Sequence, residues 1–466
     1  MVFSSLPFLF FYLPVVLLIY KLSPLKLRNL FLLLASLFFY GWGEPIYIVI
    51  MFLSIVIDYT HGMLVERWRE NDKKARMAVA SSVFFNLLLL VFFKYYDFLA
   101  GSINAVTGLS LPLLGIPLPI GISFYTFQTM SYTIDVYRKD APVQKNIVTF
   151  GAFVTLFPQL IAGPIIQYKS VAEQLESRCE DLEKFINGVQ RFCVGAAKKV
   201  LLANAIGQLW DLSLASENLT VFGGWLGLIA YAFQIYFDFS GYSDMAIGLG
   251  KIFGFQFCEN FNYPYLSRSI SEFWRRWHMS LGTWFRDYVY IPMGGSRVKR
   301  SRWIFNTLTV WMLTGLWHGA AWNFVLWGLL YAAMLLIEKF VPALQKLPDL
   351  LRRAYVLLIV MLGFVLFNAA DLKQALSDMG GLIGIGGLPL FTRETVYYLS
   401  SYAWVFALAI IGATPIVSTT AEKLSADKYT GPVIAALEPL FILVLLIVCT
   451  AYLVDGSFNP FLYFRF

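Results

Sequence analysis

Long apolar stretches follow one another along the whole chain and are separated by short clusters of charged residues. Stretches long enough to enter a bilayer lie at roughly 5–20, 29–43, 45–60, 77–98, 119–137, 147–165, 187–210, 221–242, 304–318, 321–338, 354–370, 396–416 and 433–454. Several are short for a full crossing. The pattern predicts an all-α polytopic membrane protein with about eleven to thirteen transmembrane or re-entrant helices.

Composition supports a lipid environment. The 466 residues are 58% hydrophobic and only 14% charged, whereas soluble domains carry about 25% charge. In such a chain the net charge of +7 indicates orientation and anionic lipid, and nucleic-acid binding is not expected. The four cysteines show no metal-site spacing, so no metal is expected.

Basic loops predict the orientation of the chain, because lysine and arginine concentrate on the cytoplasmic side. Clusters at 21–28, 67–76, 297–302 and 339–353 are all expected to be cytoplasmic. The N-terminus is then extracytoplasmic, and residues 303–338 must cross out and back with a turn near 318–322. Lys198 and Lys199 lie within an apolar run, and no side is assigned to them.

The densest polar stretch is SEFWRRWHMSLGTWFRDYVYIPMGGSRVKR, residues 271–300. Its first part predicts a helix over 271–287, capped by Ser271. Glu272 would pair with Arg275 and Arg276 at helical spacing. This helix could lie in the membrane interface, or its arginines could bind an anionic group such as a donor phosphate.

Further side chains of the same stretch complete its two predicted faces. In a continuous helix Trp274 and His278 share a face, with Trp277 one place round. The candidate donor-binding residues are Trp274, Trp277, Arg275, Arg276 and Arg286.

Two acids upstream, Asp238 and Asp244, fall in or beside an apolar span. An acid at the centre of a bilayer costs about 3 kcal/mol and usually has a partner or a function. Structural pairing is the favoured interpretation, and Asp238 could accept from Tyr242 or from a buried arginine. Glu272 and Asn323 are the other supporting polar candidates.

The segment GLWHGAAWNFVLWG, residues 315–328, places His318 at the predicted hairpin turn. A neutral imidazole is the usual base for removing a hydroxyl proton near pH 7, and the small residues after it leave room for a substrate. The alternative is a histidine that only packs at the helix turn.

Taken together these segments resemble the membrane-bound O-acyltransferase family. The resemblance rests on FDFSGYSDMAIGLGKIFGF (237–255), NYPYLSRSISEFWRRWHMSLGTWFRDYVYIPMGG (262–295), LTGLWHGAAWNFVLWG (313–328) and the terminal NPFLYFRF (459–466). It covers essentially the whole chain and is strongest for the bacterial branch that acetylates alginate or peptidoglycan. Cys258 departs from the pattern, which has proline there.

The resemblance implies one integral-membrane domain over 1–466, with N-terminal helices in 1–165, core motifs in 221–340 and C-terminal helices in 341–466. It also implies helices in a ring around a thin core, with an outward funnel and a cytoplasmic tunnel. His318 matches the catalytic histidine of the family, and His278 matches a second family histidine.

The implied reaction is acetyl transfer to oxygen from acetyl-CoA or another acyl thioester, a co-substrate rather than a bound cofactor. The implied acceptor is an exported polysaccharide or peptidoglycan, reached through an extracytoplasmic SGNH-type partner protein, and the implied location is the bacterial inner membrane. Alternatives are D-alanylation of teichoic acid, acylation of a lipid or protein, a transporter without chemistry, and a scaffold for a soluble acetyltransferase.

Overall fold

The structure, a computed structural model, describes residues 1–456 and Asn459. Most of the terminal motif at 459–466 therefore lies outside the described residues. Helices account for all the regular structure of the described part, as the hydrophobic pattern predicts.

The N-terminal half of the chain contains twelve α-helices. They are α1 (Leu13–Leu22), α2 (Arg28–Gly41), α3 (Ile48–Arg67), α4 (Asp72–Leu90), α5 (Tyr96–Thr107), α6 (Ile122–Arg138), α7 (Ile147–Thr155), α8 (Phe157–Leu160), α9 (Tyr168–Glu176), α10 (Leu182–Ala197), α11 (Asn204–Ala215) and α12 (Val221–Ile252). Four π-helical segments adjoin α-helices, at Phe8–Tyr12, Val91–Tyr95, Lys198–Ala203 and Arg286–Tyr290.

Nine further helices follow within the described residues. They are α13 (Ile270–Arg276), α14 (Met279–Phe285), α15 (Arg300–His318), α16 (Trp322–Phe340), α17 (Asp349–Asn368), α18 (Leu372–Gly381), α19 (Arg393–Gly412), α20 (Ile416–Ala426) and α21 (Thr430–Asp455).

Six helical segments of the described chain are long and apolar enough to cross a membrane, namely Ile48–Arg67, Asp72–Thr107, Trp322–Phe340, Asp349–Asn368, Arg393–Gly412 and Thr430–Asp455. Some other predicted spans are interrupted. The apolar run at 147–165 is split before Phe157, where Pro158 occupies the start of α8 and cannot donate a helical hydrogen bond. The predicted total of eleven to thirteen stays a prediction.

Contacts divide the chain into two compact units. The first contains Met1–Phe192, Met245–Cys258 and Thr283–Val289, and the second contains Cys193–Asp244, Glu259–Gly282 and Tyr290–Phe466. The single domain over 1–466 stays a prediction.

The first unit has a buried polar cluster around Asp58, on α3. Ser82 and Asn86, both on α4, donate to the Asp58 carboxylate at 2.5 and 2.8 Å. From α6, the Thr129 hydroxyl donates to the side-chain oxygen of Asn86 at 3.1 Å, and the Thr133 hydroxyl lies 2.9 Å from the Ser82 hydroxyl. These bonds satisfy a carboxylate in an apolar helix by joining three helices, which is how intramembrane polar groups are usually accommodated.

The second unit contains the hairpin of α15 and α16, which the sequence predicts. Its two helices approach most closely at Gly315 and Gly328: a Cβ on Gly315 would collide with the Phe324 carbonyl, and one on Gly328 with the Trp311 carbonyl. Only glycine allows this approach. The close packing fixes the hairpin connection, residues 319–321, directly after His318.

Candidate active site

The charged stretch is not the single helix that the sequence predicts. It forms α13 and then α14, separated at residues 277–278. The predicted cap is also wrong: Ser269, not Ser271, caps α13 and accepts from the Glu272 amide at 3.0 Å. The Glu338 carboxylate of α16 accepts from the Ile270 and Ser271 amides at 2.5 and 3.1 Å, so α13 begins where these groups satisfy its free N–H groups.

The break between the helices determines the position of His278. Trp277 has an extended backbone, and His278 has a φ of 45°, in the left-handed region. The expectation that Trp274 and His278 share one helical face is therefore wrong. A left-handed histidine is uncommon, and such conformations are found where surrounding contacts impose them.

His278 is buried, and its contacts come from several segments of the second unit. Its ring lies edge-on to Phe239 and Trp317, with centroids 4.7 and 5.8 Å away. Its Nδ1 lies 3.2 Å from the side-chain oxygen of Asn260. His278 lies outside the six candidate spans, and burial lowers its pKa to about 3, so the imidazole is neutral at physiological pH.

His318 ends α15 and lies among aromatic rings. Trp317, Trp327 and Phe367 surround it at centroid distances of 5.0, 5.1 and 5.3 Å. Unlike buried His278, His318 is partly exposed. The two imidazole centroids are 6.4 Å apart, so the structure brings the two predicted histidines together although forty residues separate them in sequence.

The two candidate tryptophans of the charged stretch are packing residues. Trp274 contacts Trp311, Trp327 and Tyr331 at centroid distances of 4.7–5.5 Å. Trp277 is buried against Phe261 and Phe273, among others. These contacts hold α13 against α16 and neighbouring segments, and a donor-binding role for either indole stays a prediction.

The three candidate arginines occupy different environments. Arg275 is exposed. Arg276 forms the predicted ion pair with Glu272, at 2.8 Å. Arg286 belongs to the first unit and pairs with Asp287, its neighbour in sequence, at 2.9 Å. Their role as donor-binding residues stays a prediction.

The supporting polar residues have structural partners. Asp238 pairs with Lys199 at 2.6 Å, and Asp244 pairs with Lys198 at 2.7 Å. The favoured interpretation of structural pairing agrees with this, although the partners are lysines rather than Tyr242 or an arginine. Asn323 donates to the carbonyls of residues 366 and 369 at 3.3 and 2.8 Å, and so ties the start of α16 to the end of α17.

Sequence reasoning missed Asn260 altogether. Its side-chain oxygen accepts from the Ser280 amide at 3.2 Å and the Ser280 hydroxyl at 2.9 Å, as well as lying beside His278. Its amide nitrogen donates to Ser243 at 3.0 Å. Asn260 lies between Cys258 and the motif that begins at Asn262, and no local pattern marks it as a functional residue.

Comparisons with known proteins indicate the family to which the chain belongs. The membrane-bound O-acyltransferase family matches residues 37–369. A probable alginate O-acetylase AlgI of Azotobacter vinelandii is 39% identical, and one of Pseudomonas putida 40% identical, each over 100% of both chains. A peptidoglycan O-acetyltransferase of Helicobacter pylori is 33% identical over 86% of this chain and 83% of its own.

The chain therefore belongs to the membrane-bound O-acyltransferase family. It is a multi-pass membrane protein and an acyltransferase. These findings confirm the family, the enzyme class and the all-α polytopic fold that the sequence predicts.

Proposed function

We propose that the protein transfers an acetyl group from a cytoplasmic thioester, acetyl-CoA, to hydroxyl groups of an extracytoplasmic polysaccharide or peptidoglycan, with His318 as the central catalytic residue. The observation that carries this proposal is the partly exposed imidazole of His318 in an aromatic pocket, 6.4 Å from the neutral imidazole of His278. The relatives named above are O-acetyltransferases, which favours an acetyl group.

The chemistry needs little more than positioning and one base. A thioester already has a good leaving group, so holding a hydroxyl oxygen beside its carbonyl carbon supplies much of the acceleration, up to about 7–11 kcal/mol. His318 takes the hydroxyl proton as the C–O bond forms, and the C–S bond breaks to release a thiolate, which is then protonated. In the alternative route His318 first accepts the acyl group and then passes it on.

Charge placement supports a reaction that connects the two faces of the membrane. Arg300 and Arg302 begin α15, and Lys339 lies at the end of α16. The positive-inside rule places these ends in the cytoplasm and the connection at 319–321 toward the outer face. His318 would then meet an outer acceptor, while the donor enters from the basic side. The same rule predicts an extracytoplasmic N-terminus, and the proposed location is a bacterial inner membrane.

The relatives support the proposed acceptor, and the partner is the one that the family resemblance implies. Relatives named for alginate and for peptidoglycan both match nearly the whole chain, so an exported glycan is the proposed acceptor class. An extracytoplasmic SGNH-type transferase would complete the transfer. D-alanylation of teichoic acid, or transfer to a lipid, keeps the same catalytic histidine and changes only the substrates.

The test uses purified protein in nanodiscs, with acetyl-labelled thioester and a soluble hydroxyl acceptor. His318→Ala should lower both label transfer and thiol release by roughly 10²–10⁴-fold, the usual contribution of a general base. His61→Ala is the matched control, because His61 bonds to the Ile57 carbonyl and to Ser81 in the first unit.

Two outcomes would contradict the proposal. Parent-level transfer by a folded His318→Ala protein would exclude a catalytic His318. Movement of the intact thioester across the membrane, without thiol release by the parent protein, would favour a transporter.

A further inference from the structure

We propose that Asn260 is a positioning residue: its side-chain oxygen holds the proton of His278 on Nδ1, so that Nε2 presents a lone pair and His278 acts in acyl transfer as a hydrogen-bond acceptor rather than a hydrogen-bond donor. This inference rests on the proposed function for its catalytic part only. The tautomer itself follows from the contacts of Asn260.

The orientation of the Asn260 amide is fixed by a backbone group. The Ser280 amide N–H can only donate, and it points at one end of the Asn260 side chain, 3.2 Å away. That end must therefore be the carbonyl oxygen, since an amide NH₂ there would oppose donor to donor. The other end donates to Ser243 at 3.0 Å, which agrees with this assignment.

The orientation of the amide then fixes the histidine. His278 Nδ1 lies 3.2 Å from the same Asn260 oxygen. An oxygen can only accept, so Nδ1 must carry the proton in this contact, and a neutral imidazole then has its lone pair on Nε2. Because burial keeps the ring neutral, only one of its two nitrogens carries a proton, and the contact with Asn260 determines which one.

The second nitrogen is left available. Nε2 of His278 is buried and has no hydrogen-bond partner among the described residues. A buried acceptor without a partner is unfavourable until a donor reaches it. In the second unit the nearby imidazole is His318, so a group bearing a proton at this place, from substrate or from His318, would find its acceptor in His278.

Asn260 also supports the backbone around His278. Its main-chain carbonyl accepts from the Met279 amide at 3.0 Å, and its side chain accepts from the Ser280 amide. These are the first free N–H groups of α14. One residue thus fixes both the left-handed turn at His278 and the protonation pattern of its ring, and the test must separate these two roles.

Nitrogen NMR separates them, because the chain has only three histidines, at 61, 278 and 318. Protein labelled with ¹⁵N-histidine, with each signal assigned by a single-histidine substitution, should show His278 protonated at Nδ1 in the parent protein. A parent His278 protonated at Nε2 would overturn the proposal without any variant and whatever the activity of the enzyme.

Variants then connect the tautomer to catalysis. Asn260→Asp keeps an acceptor oxygen for Nδ1–H and should retain both the Nδ1 signal and most of the turnover. Asn260→Ala should lose the signal and lower kcat on the order of 10- to 100-fold, as the loss of an orienting partner typically does. Its KM for the thioester should change much less.

Asn306→Ala is the control for loss of a buried asparagine. Asn306 donates to the carbonyls of residues 293 and 295, within the same unit, and its replacement should leave the His278 signal unchanged. If Asn260→Ala lowers kcat while the Nδ1 signal persists, Asn260 has only a capping role and the positioning proposal is wrong. If the signal behaves as expected but His318→Ala remains active, the proposed function fails and the tautomer assignment stands.

Discussion

Two buried polar clusters, one in each unit, are built from similar groups but differ in how completely these groups are hydrogen-bonded. In the first unit both carboxylate oxygens of Asp58 receive hydrogen bonds, and Asn86, which supplies some of them, has its own carbonyl satisfied by Thr129. In the second unit Asn260 is saturated in the same way, but His278 keeps one buried nitrogen without a partner among the described residues.

The difference distinguishes polar groups that stabilise the fold from polar groups that take part in the reaction. Inside a membrane a satisfied polar cluster joins helices and lowers the cost of its own burial. A cluster left one bond short retains an unfavourable group, and a substrate that supplies the missing partner compensates this cost. Disrupting the first cluster should therefore reduce stability, whereas disrupting the second should reduce turnover.

The largest expected effect comes from His278→Asn. Asparagine tolerates the left-handed backbone of residue 278, but its shorter side chain does not carry an acceptor to the position of Nε2. Turnover should fall by about 10²-fold or more, with little change in the thermal unfolding midpoint. Label transfer and thiol release measure the first quantity, and a thermal scan at fixed rate measures the second.

His61→Asn is the matched control for this substitution and should keep parent turnover. Parent turnover by His278→Asn would show that the reaction needs no acceptor at the position of Nε2, and the proposed role of His278 would be wrong.

A smaller effect of a different kind is expected for Asp58→Ala. The change removes the acceptor of Ser82 and Asn86, and each buried donor left unsatisfied costs about 1–3 kcal/mol. The thermal unfolding midpoint should fall, while turnover per folded molecule stays near that of the parent.

Thr60→Ala serves as the control on the same helix, because Thr60 is exposed and its hydroxyl donates to carbonyls of its own helix. A loss of turnover by folded Asp58→Ala protein, at unchanged stability, would remove the distinction between the two clusters.

The sequence predicts the hairpin and its histidine well, because two apolar runs between basic loops leave room for only one turn, and His318 lies at it. It fails at His278 for a tertiary reason. Residues 271–287 are compatible with a continuous helix, and the break at 277–278 depends on Asn260, which lies 18 residues earlier.

The buried acids show the same limit. The sequence indicates that Asp238 and Asp244 need partners, yet Lys198 and Lys199 could not be assigned from an apolar run. They are recognisable as those partners only once the neighbouring π-helical segment Lys198–Ala203 is folded beside α12.

The smallest expected effects are at the two adjacent arginines of α13, and they show whether the charged stretch binds the donor. Arg275 is exposed, whereas Arg276 pairs with Glu272. If donor phosphates bind here, Arg275→Gln should raise the KM for the thioester without changing kcat. An exposed charge contact is worth about 0.2–1 kcal/mol, which corresponds to an increase of at most about fivefold. The increase should disappear at high salt, because exposed charges are screened.

Arg276→Gln is the internal comparison, since its charge is already engaged by Glu272 and its loss should change KM less. Steady-state kinetics at low and high salt measure both variants. An Arg275→Gln protein with parent KM at low salt would contradict donor binding by this charge and would leave α13 as a structural support for His278.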